Sequence, residues 1–209
     1  MLQIPYLVGV AGPSCAGKGT LCRWLSGRFR AATLPVDAYY LPLDHLSVEE
    51  RAHVNFDDPV SMDHRLLAAH LEALRRGETV AHPVYDFALH TRDPEPVELA
   101  PEPLVFVEGL FPLYWPEIRE QLSASIFITA GNTVCLDRRL RRDTVERGRS
   151  AESVQSQYVE TVEPMRSLYV DPTAGYAGLV LDGRLPIEEN GAIAARYLEQ
   201  TLGVRGKLL

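Results

Sequence analysis

Cysteine and lysine are both scarce in this chain. The three cysteines stand at positions 15, 22 and 135, so none of them has the spacing of a zinc site or a redox pair. They are also too few for a disulfide framework, which suits a reducing compartment. Lys18 is the one lysine outside the tail of the chain.

Basic residues are fewer than acidic residues, with 21 Lys and Arg against 28 Asp and Glu. The formal net charge is −7 and the sequence pI is about 5.4. General nucleic-acid binding needs a broad basic surface that displaces counterions, so the composition excludes nucleic acid as a general partner.

Long apolar runs are missing as well. No stretch approaches the roughly 18 residues of a membrane span, and the first residues lack the layout of a signal peptide. We therefore expect a cytoplasmic protein with no membrane association. A length of 209 residues suits a single α/β domain over residues 1–209.

A glycine loop follows the first apolar run, at residues 6–11. Glycine lets the backbone wrap closely around an anion, and the helical pattern that begins near Lys18 points free N–H groups at the same place. We predict a nucleotide triphosphate site in which Lys18 contacts the β- and γ-phosphates. The predicted nucleotide-binding loop is Gly12, Pro13, Ser14, Cys15, Ala16, Gly17, Lys18, Gly19 and Thr20.

The residue after the lysine usually supplies a hydroxyl ligand for Mg²⁺. Here that residue is Gly19, and the first hydroxyl belongs to Thr20. A second candidate ligand is Glu108, which ends the apolar run 104–107. The direct metal ligand is thus left open between Thr20 and Glu108, the latter acting directly or through water.

Asp37 follows a second predicted strand, residues 31–36. Ligands of open α/β sheets gather at the carboxyl ends of strands. Asp37 is therefore a candidate general base for an acceptor hydroxyl, and Lys18 and Asp37 are the predicted catalytic residues. The alternative is an aspartate that only caps a turn.

Residues 79–100 contain two β-rich segments separated by turn residues, which predicts a hairpin excursion. It carries Tyr85, Phe87, His90 and Arg92, groups suited to holding a flat polar ring. Packing of a small flap on the core is the alternative.

A predicted helix over residues 133–147 is rich in arginine. Such a run is often only a solvated face. Arginines on several faces, followed by Arg147 and Arg149, favour a lid over residues 133–150 that closes on phosphates, with Arg142 as a further ligand.

Taken together, these motifs resemble the phosphoribulokinase/uridine kinase family of P-loop kinases. The resemblance covers residues 6–181 and includes segments 37–40, 55–57, 83–92, 108–109, 142–149 and 157–158. It implies an α/β fold of the P-loop NTPase type: a five-stranded parallel sheet flanked by helices, with the hairpin excursion and the arginine-rich lid.

The resemblance also implies a reaction, the transfer of the γ-phosphoryl group of ATP or GTP to the 5′-hydroxyl of uridine or cytidine, with Mg²⁺. It implies Asp37 as the base and Glu108 as the metal-binding carboxylate. The expected nucleoside-binding residues are Asp37, Tyr40, Phe56, Asp57, Tyr85, Phe87, His90, Arg139 and Gln157.

Three other interpretations remain. A related kinase could act on nicotinamide riboside, pantothenate or ribulose 5-phosphate, although the hairpin motif speaks against it. A nucleoside-monophosphate kinase would need arginines for an acceptor phosphate. A regulatory protein could bind nucleotide without transferring phosphate. The sequence leaves open the donor preference and whether the chain forms a homo-oligomer.

Overall fold

A five-stranded parallel sheet lies at the centre of the protein, whose computed structural model describes residues 4–51 and 53–204. The strands in chain order are β1 (Tyr6–Ala11), β2 (Ala31–Pro35), β3 (Val80–His82), β4 (Tyr85–Asp86), β5 (Thr91–Arg92), β6 (Val97–Leu99), β7 (Leu104–Gly109), β8 (Ala124–Thr129) and β9 (Leu179–Asp182). The central sheet has the order β2-β7-β1-β8-β9, and every neighbouring pair is parallel. The predicted fold is confirmed.

Helices cover both faces of this sheet. They are α1 (Lys18–Arg28), α2 (Val48–Arg51), α3 (His64–Arg75), α4 (Pro116–Arg119), α5 (Asn132–Glu146), α6 (Ala151–Gln157), α7 (Glu163–Met165) and α8 (Ile187–Leu202). A π-helical turn lies on each side of α7, which contains Pro164. Proline donates no backbone hydrogen bond, so a widened helix accommodates it there.

The side chains of β1 and β7 alternate between two cores. Leu7 and Val105 pack on one face with Leu71 of α3, while Val8 and Phe106 pack on the other with helices α1 and α8. Strands buried on both faces explain the continuous apolar runs in the sequence.

The parallel arrangement brings three strand ends to one edge. Ala11 pairs with Gly109 at the ends of β1 and β7, and Pro35 of β2 pairs with Glu108. The glycine loop, Glu108 and the turn that carries Asp37 therefore meet at the carboxyl edge of the sheet, where parallel α/β proteins bind ligands.

The hairpin excursion forms two nested antiparallel pairs: β3 pairs with β6, and β4 pairs with β5 between them in the chain. Arg92 holds it to the main body, because its guanidinium donates to the carbonyl oxygens of Tyr40 (2.8 Å) and Tyr39 (3.2 Å) and to Asp63 (3.2 Å). The hairpin thus has a fixed position beside the carboxyl edge.

Within residues 4–51 and 53–204, no helix is both long and apolar enough to cross a lipid bilayer.

Candidate active site

A cleft of about 1500 Å³ runs across the carboxyl edge of the sheet. It is lined by residues of the glycine loop, the Asp37 turn, the hairpin, Glu108 and helices α5 and α6. The wall contains the predicted site residues except Gly12 and Pro13, which are buried within the loop, and Arg92, which donates to Tyr39, Tyr40 and Asp63 instead. The individual roles of these residues stay predictions.

The glycine loop owes its shape to left-handed backbone positions. Gly12 has φ 144°, Cys15 φ 63° and Gly17 φ 112°. A Cβ atom on Gly12 would come within 2.3 Å of the Ile128 carbonyl oxygen, so only glycine fits there. Helix α1 begins directly after Gly17, and its first N–H groups have no partner within the helix. Loop and helix together form a cradle for an anion.

Lys18 is a buried cation at the start of α1. Its Nζ donates to the Pro13 carbonyl oxygen (3.0 Å) and lies 3.9 Å from Oε1 of Glu108. These contacts hold the ammonium group above the cradle and beside the metal-binding candidate.

Five carboxylates line the cleft, and three of them, on Asp37, Asp57 and Glu108, have shifted pKa values. Burial raises the pKa of each of these three, and nearby cations, chiefly Lys18 for Asp37 and Glu108 and Arg139 for Asp57, oppose the rise. A raised pKa makes a carboxylate a stronger base. Asp37 therefore has the electrostatic setting of a general base.

The donor atoms on this edge of the cleft fit Mg²⁺. They are oxygens from Glu108, Asp37 and Thr20, the type that Mg²⁺ prefers, and Mg²⁺ is usually completed by phosphates and water. A Cβ atom on Gly19 would lie 4.0 Å from Oε2 of Glu108, whereas Thr20 is exposed and its Oγ1 accepts from Arg23 (3.3 Å). Among the described residues there is no group of three or more His, Cys, Asp or Glu side chains placed to hold a metal ion.

An aromatic slot occupies the hairpin end of the cleft and consists of Tyr40, Phe56, Tyr85, Phe87 and His90. The ring centroid of Phe56 lies 5.2 Å from that of Tyr40. It lies 5.1 Å from that of His90, and the Phe56 and His90 rings are stacked with an interplanar angle of 13°. The slot therefore presents flat apolar surfaces, and a planar ring can pack against them.

Two polar groups give this slot hydrogen-bonding capacity. The buried hydroxyl of Tyr85 has no hydrogen-bond partner among the residues described by the structure. Burial lowers the pKa of His90, and Arg149 lowers it further, so the imidazole is neutral at pH 7 and carries one donor and one acceptor.

Four arginines on the opposite wall surround one aspartate. Oxygens of Asp143 lie 2.8 Å from Nε of Arg142, 3.5 Å from Nε of Arg139, 3.6 Å from Nη1 of Arg149 and 3.7 Å from Nε of Arg147. We call Arg139, Arg142, Arg147 and Arg149 the arginine cluster. All four line the cleft, which gives its wall the charge that a polyphosphate requires.

The arginine cluster is connected to the rest of the site. Arg139 donates from Nη1 to Oγ of Ser14 (3.3 Å). Gln157 Oε1 accepts from both Arg139 (3.1 Å) and Arg149 (2.7 Å). Gln157 therefore contacts the arginine cluster directly, a contact that the sequence did not predict.

Sequence reasoning also missed two further residues. Asp143 lies in segment 142–149, which carries the resemblance, but it received no role, although Arg139 and Arg147 stand four residues before and after it at the end of α5. Arg138 had no signal of this kind. It lines the cleft and donates to the carbonyl oxygens of Cys15 (3.3 Å), Ala16 (3.4 Å) and Gly183 (2.9 Å), and so braces the glycine loop.

Comparisons with known proteins agree with this geometry. The family model described as "Phosphoribulokinase / Uridine kinase family" matches residues 7–188. A uridine kinase from Chloroflexus aurantiacus is 41% identical over 199 residues, which covers 93% of this chain and 95% of the relative. A uridine kinase from Shewanella piezotolerans is 41% identical over 183 residues, covering 84% of this chain and 86% of the relative.

Similarity in three dimensions extends to more distant kinases. Phosphoribulokinase from Rhodobacter spheroides superimposes with a TM-score of 0.63 at 14% identity, covering 87% of this chain and 71% of that chain. This similarity supports the fold alone. The extent of the family match and the identity to the curated relatives settle the assignment: the chain is an enzyme that belongs to the phosphoribulokinase/uridine kinase family of P-loop kinases.

Proposed function

We propose that this enzyme transfers the γ-phosphoryl group of ATP or GTP to the 5′-hydroxyl of uridine and cytidine. The observation that carries the proposal is the presence of the aromatic slot and the anion cradle in one continuous cleft whose wall also contains Asp37. Asp37 helps to raise the pKa of Tyr40 in the slot, and Lys18 in the cradle opposes the rise of the Asp37 pKa. Relatives named uridine kinase support the same substrate class.

In this reaction Asp37 accepts the proton of the 5′-hydroxyl. The hydroxyl oxygen forms a bond to the γ-phosphorus while the bond from that phosphorus to the β,γ-bridging oxygen breaks, which releases the nucleoside diphosphate. Lys18 and the arginine cluster offset the negative charge that redistributes over the phosphoryl oxygens. Asp37 thus orients the nucleophile, and the cations lower the barrier.

Mg²⁺, when bound with the nucleotide, supplies positive charge to the β- and γ-phosphate oxygens. Glu108 would hold it from the protein side, directly or through water, and Thr20 is the one hydroxyl after the lysine that could contribute.

The acceptor end of the cleft favours an uncharged alcohol. A phosphorylated acceptor such as ribulose 5-phosphate needs free guanidinium groups there. Arg51 instead donates to the carbonyl oxygens of Leu43 (2.9 Å) and Leu46 (3.0 Å), and Arg92 donates to Tyr40 and Tyr39. Both arginines hold backbone carbonyl groups, so neither is free to bind an acceptor phosphate.

The neutral imidazole of His90 explains how one slot would accept two bases. Uracil presents an acceptor at position 4 and a donor at N3, and cytosine presents the reverse. A neutral imidazole offers one donor and one acceptor and can exchange them by tautomer or ring flip.

A coupled assay of nucleoside diphosphate release tests the proposal. The acceptors are uridine, cytidine, adenosine, nicotinamide riboside, pantothenate and ribulose 5-phosphate, each with ATP and with GTP in the presence of Mg²⁺. We expect turnover with uridine and cytidine and far less with the others. Turnover confined to a non-pyrimidine alcohol would overturn the substrate assignment, and nucleotide binding without any transfer would favour a regulatory protein.

A further inference from the structure

We propose that Asp143 is a positioning residue that holds the arginine cluster in the arrangement that receives the polyphosphate of the donor. This inference rests on the proposed function, because it concerns how the same cleft binds its phosphoryl donor. Asp143 itself is fully buried, and no part of the reaction requires it to touch a substrate.

The contacts around Asp143 are unevenly distributed. One hydrogen bond, from Nε of Arg142 at 2.8 Å, fixes Oδ1. Oδ2 has no hydrogen-bond partner within the described part of the chain, although guanidinium nitrogens of Arg139 and Arg149 lie 3.5 and 3.6 Å away. The Asp143 carboxylate thus contacts Arg139, Arg147 and Arg149 as ion pairs at 3.5–3.7 Å.

The charges explain why such a residue is needed. Asp143 forms ion pairs with four guanidinium groups, and Asp37 and Asp57 also act on them, so the guanidinium groups of the cluster outnumber the carboxylates around it. Burial lowers the pKa of Arg147, and repulsion from Arg142 lowers it further. A polyphosphate bound in the cleft would neutralise the remaining excess.

Asp143 also links the two halves of the donor site. Arg139 beside it donates to Ser14 of the glycine loop, and Arg149 beside it donates to Gln157 and to Oγ of Ser153 (3.1 Å). A backbone hydrogen bond also joins Arg149 to Asp143, since the Arg149 N–H donates to the Asp143 carbonyl oxygen (3.1 Å). Displacing Asp143 would therefore move cations on both sides of the phosphates.

Two roles for Asp143 predict opposite effects of Asp143→Asn on the binding of a polyphosphate: the positioning of the arginines, and a contribution to net charge alone. The substitution keeps the shape of the side chain and removes its negative charge, so the cleft becomes more positive. Attraction by net charge alone would tighten the binding of a polyanion. Loss of positioning would weaken it, because the arginines would separate and lose their common orientation.

The experiment measures binding of inorganic tripolyphosphate to the full chain by calorimetry. The control is Asp137→Asn, the same chemical change at an exposed position of α5. We expect the dissociation constant to rise at least about tenfold in Asp143→Asn and to stay at the parental value in Asp137→Asn. The KM for ATP should rise in parallel.

A thermal melt of each variant separates positioning from stability, with all binding measured well below the unfolding midpoint. Asp143→Glu provides a second variant in case Asp143→Asn does not fold. It preserves the charge but displaces the carboxylate, so positioning predicts weaker tripolyphosphate binding here too. Unchanged or tighter binding in a folded variant would overturn the inference. A parent that binds tripolyphosphate but phosphorylates no nucleoside would contradict the proposed function and leave the test of Asp143 intact.

Discussion

The guanidinium of Arg147 lies over the ring of Phe87, 4.9 Å from its centroid. Phe87 belongs to the hairpin and the aromatic slot, whereas Arg147 belongs to the arginine cluster. The two walls of the cleft therefore touch at this contact. Because a guanidinium over an aromatic face is attracted by the electrons of the ring, binding on one side can influence the other.

This contact predicts coupling between nucleoside and nucleotide. We expect uridine to raise the affinity of the parent enzyme for ADP. In Phe87→Ala this increase should be about two- to fivefold smaller, which corresponds to the about 0.5–1 kcal/mol of such a contact at an exposed site. Calorimetric titration of ADP with and without uridine measures it. Leu89→Ala removes another exposed apolar side chain of the same hairpin and should leave the coupling unchanged. Parental coupling in Phe87→Ala would show that the two walls act independently.

Lys18→Ala should lose at least about 10²-fold in turnover, because it removes the cation nearest the transferring phosphoryl group. Steady-state kinetics with uridine and ATP measures the loss. A thermal melt is the necessary control, since the substitution also removes the ion pair with Glu108. Near-parental turnover would refute the assignment of the glycine loop as the donor site.

Asp37 should control the acid side of the pH profile. A base must be ionised, and burial raises the pKa of Asp37 above the ordinary 3.8, so kcat/KM should fall with decreasing pH at a value above 3.8. The same shift has a consequence for stability. A carboxyl with a raised folded-state pKa stabilises the fold at low pH, and this contribution is lost as the pH rises through that pKa.

Asp37→Asn should therefore lower turnover about 10²-fold or more and raise the melting temperature at pH 7–8, where the parent keeps a buried charge. Uridine binding should remain. Asp137→Asn, at an exposed position, should change neither quantity. A variant with lower stability and parental turnover would identify Asp37 as a structural residue.

His90→Asn should lower kcat/KM for uridine and for cytidine by about two- to tenfold, because it removes the stacking of the imidazole on Phe56. Asparagine suits this position, since His90 has φ 50° and asparagine tolerates the left-handed region. His64→Asn is a matched control, because His64 stacks on Trp115 at 5.1 Å outside the cleft. Equal effects of the two substitutions would exclude a role for His90 in the slot.

Gly19→Ser should strengthen metal binding. The Cβ would lie 4.0 Å from Oε2 of Glu108, and Gly19 has no positive φ that requires glycine. The new hydroxyl would therefore stand beside the proposed metal ligand. We expect Mn²⁺ titrated in the presence of ADP and followed by electron paramagnetic resonance to bind at least about threefold more tightly.

Gly27→Ser is the matched control. Gly27 lies on the same helix as Gly19 with open space around it, so the substitution should leave Mn²⁺ binding at the parental value. Weaker binding in Gly19→Ser would show that the space beside Glu108 serves water or phosphate instead of a protein ligand.

Much of the fold was predictable because its signals are local. The apolar runs of β1 and β7, the glycines before Lys18 and the turn residues of the hairpin each act within about ten residues of chain. The parallel strands then bring their carboxyl ends together whatever the details of packing, which explains why Asp37, Glu108 and the glycine loop were expected at one edge.

The functions of the arginines could not be read in the same way. The sequence presents a run on one helix, but Arg138 donates to loop carbonyls more than 120 positions earlier in the chain, whereas the next residue, Arg139, donates to the Ser14 hydroxyl and contacts Asp143. Arg92 belongs to the hairpin yet supports the backbone of Tyr39 and Tyr40. Each assignment depends on which distant carbonyl or carboxylate the side chain meets.

The sequence by itself therefore determined the family, the strands and helices that carry its motifs, and the candidate residues of the glycine loop, the Asp37 turn and the hairpin. Only the tertiary structure decided that Asp143 stands at the centre of four arginines, that Gln157 contacts two of them, and that Phe87 meets Arg147 across the cleft. The physical reason is that secondary structure follows from neighbours along the chain, whereas ion pairs and ring contacts depend on distances that exist only after the sheet, hairpin and helices have packed.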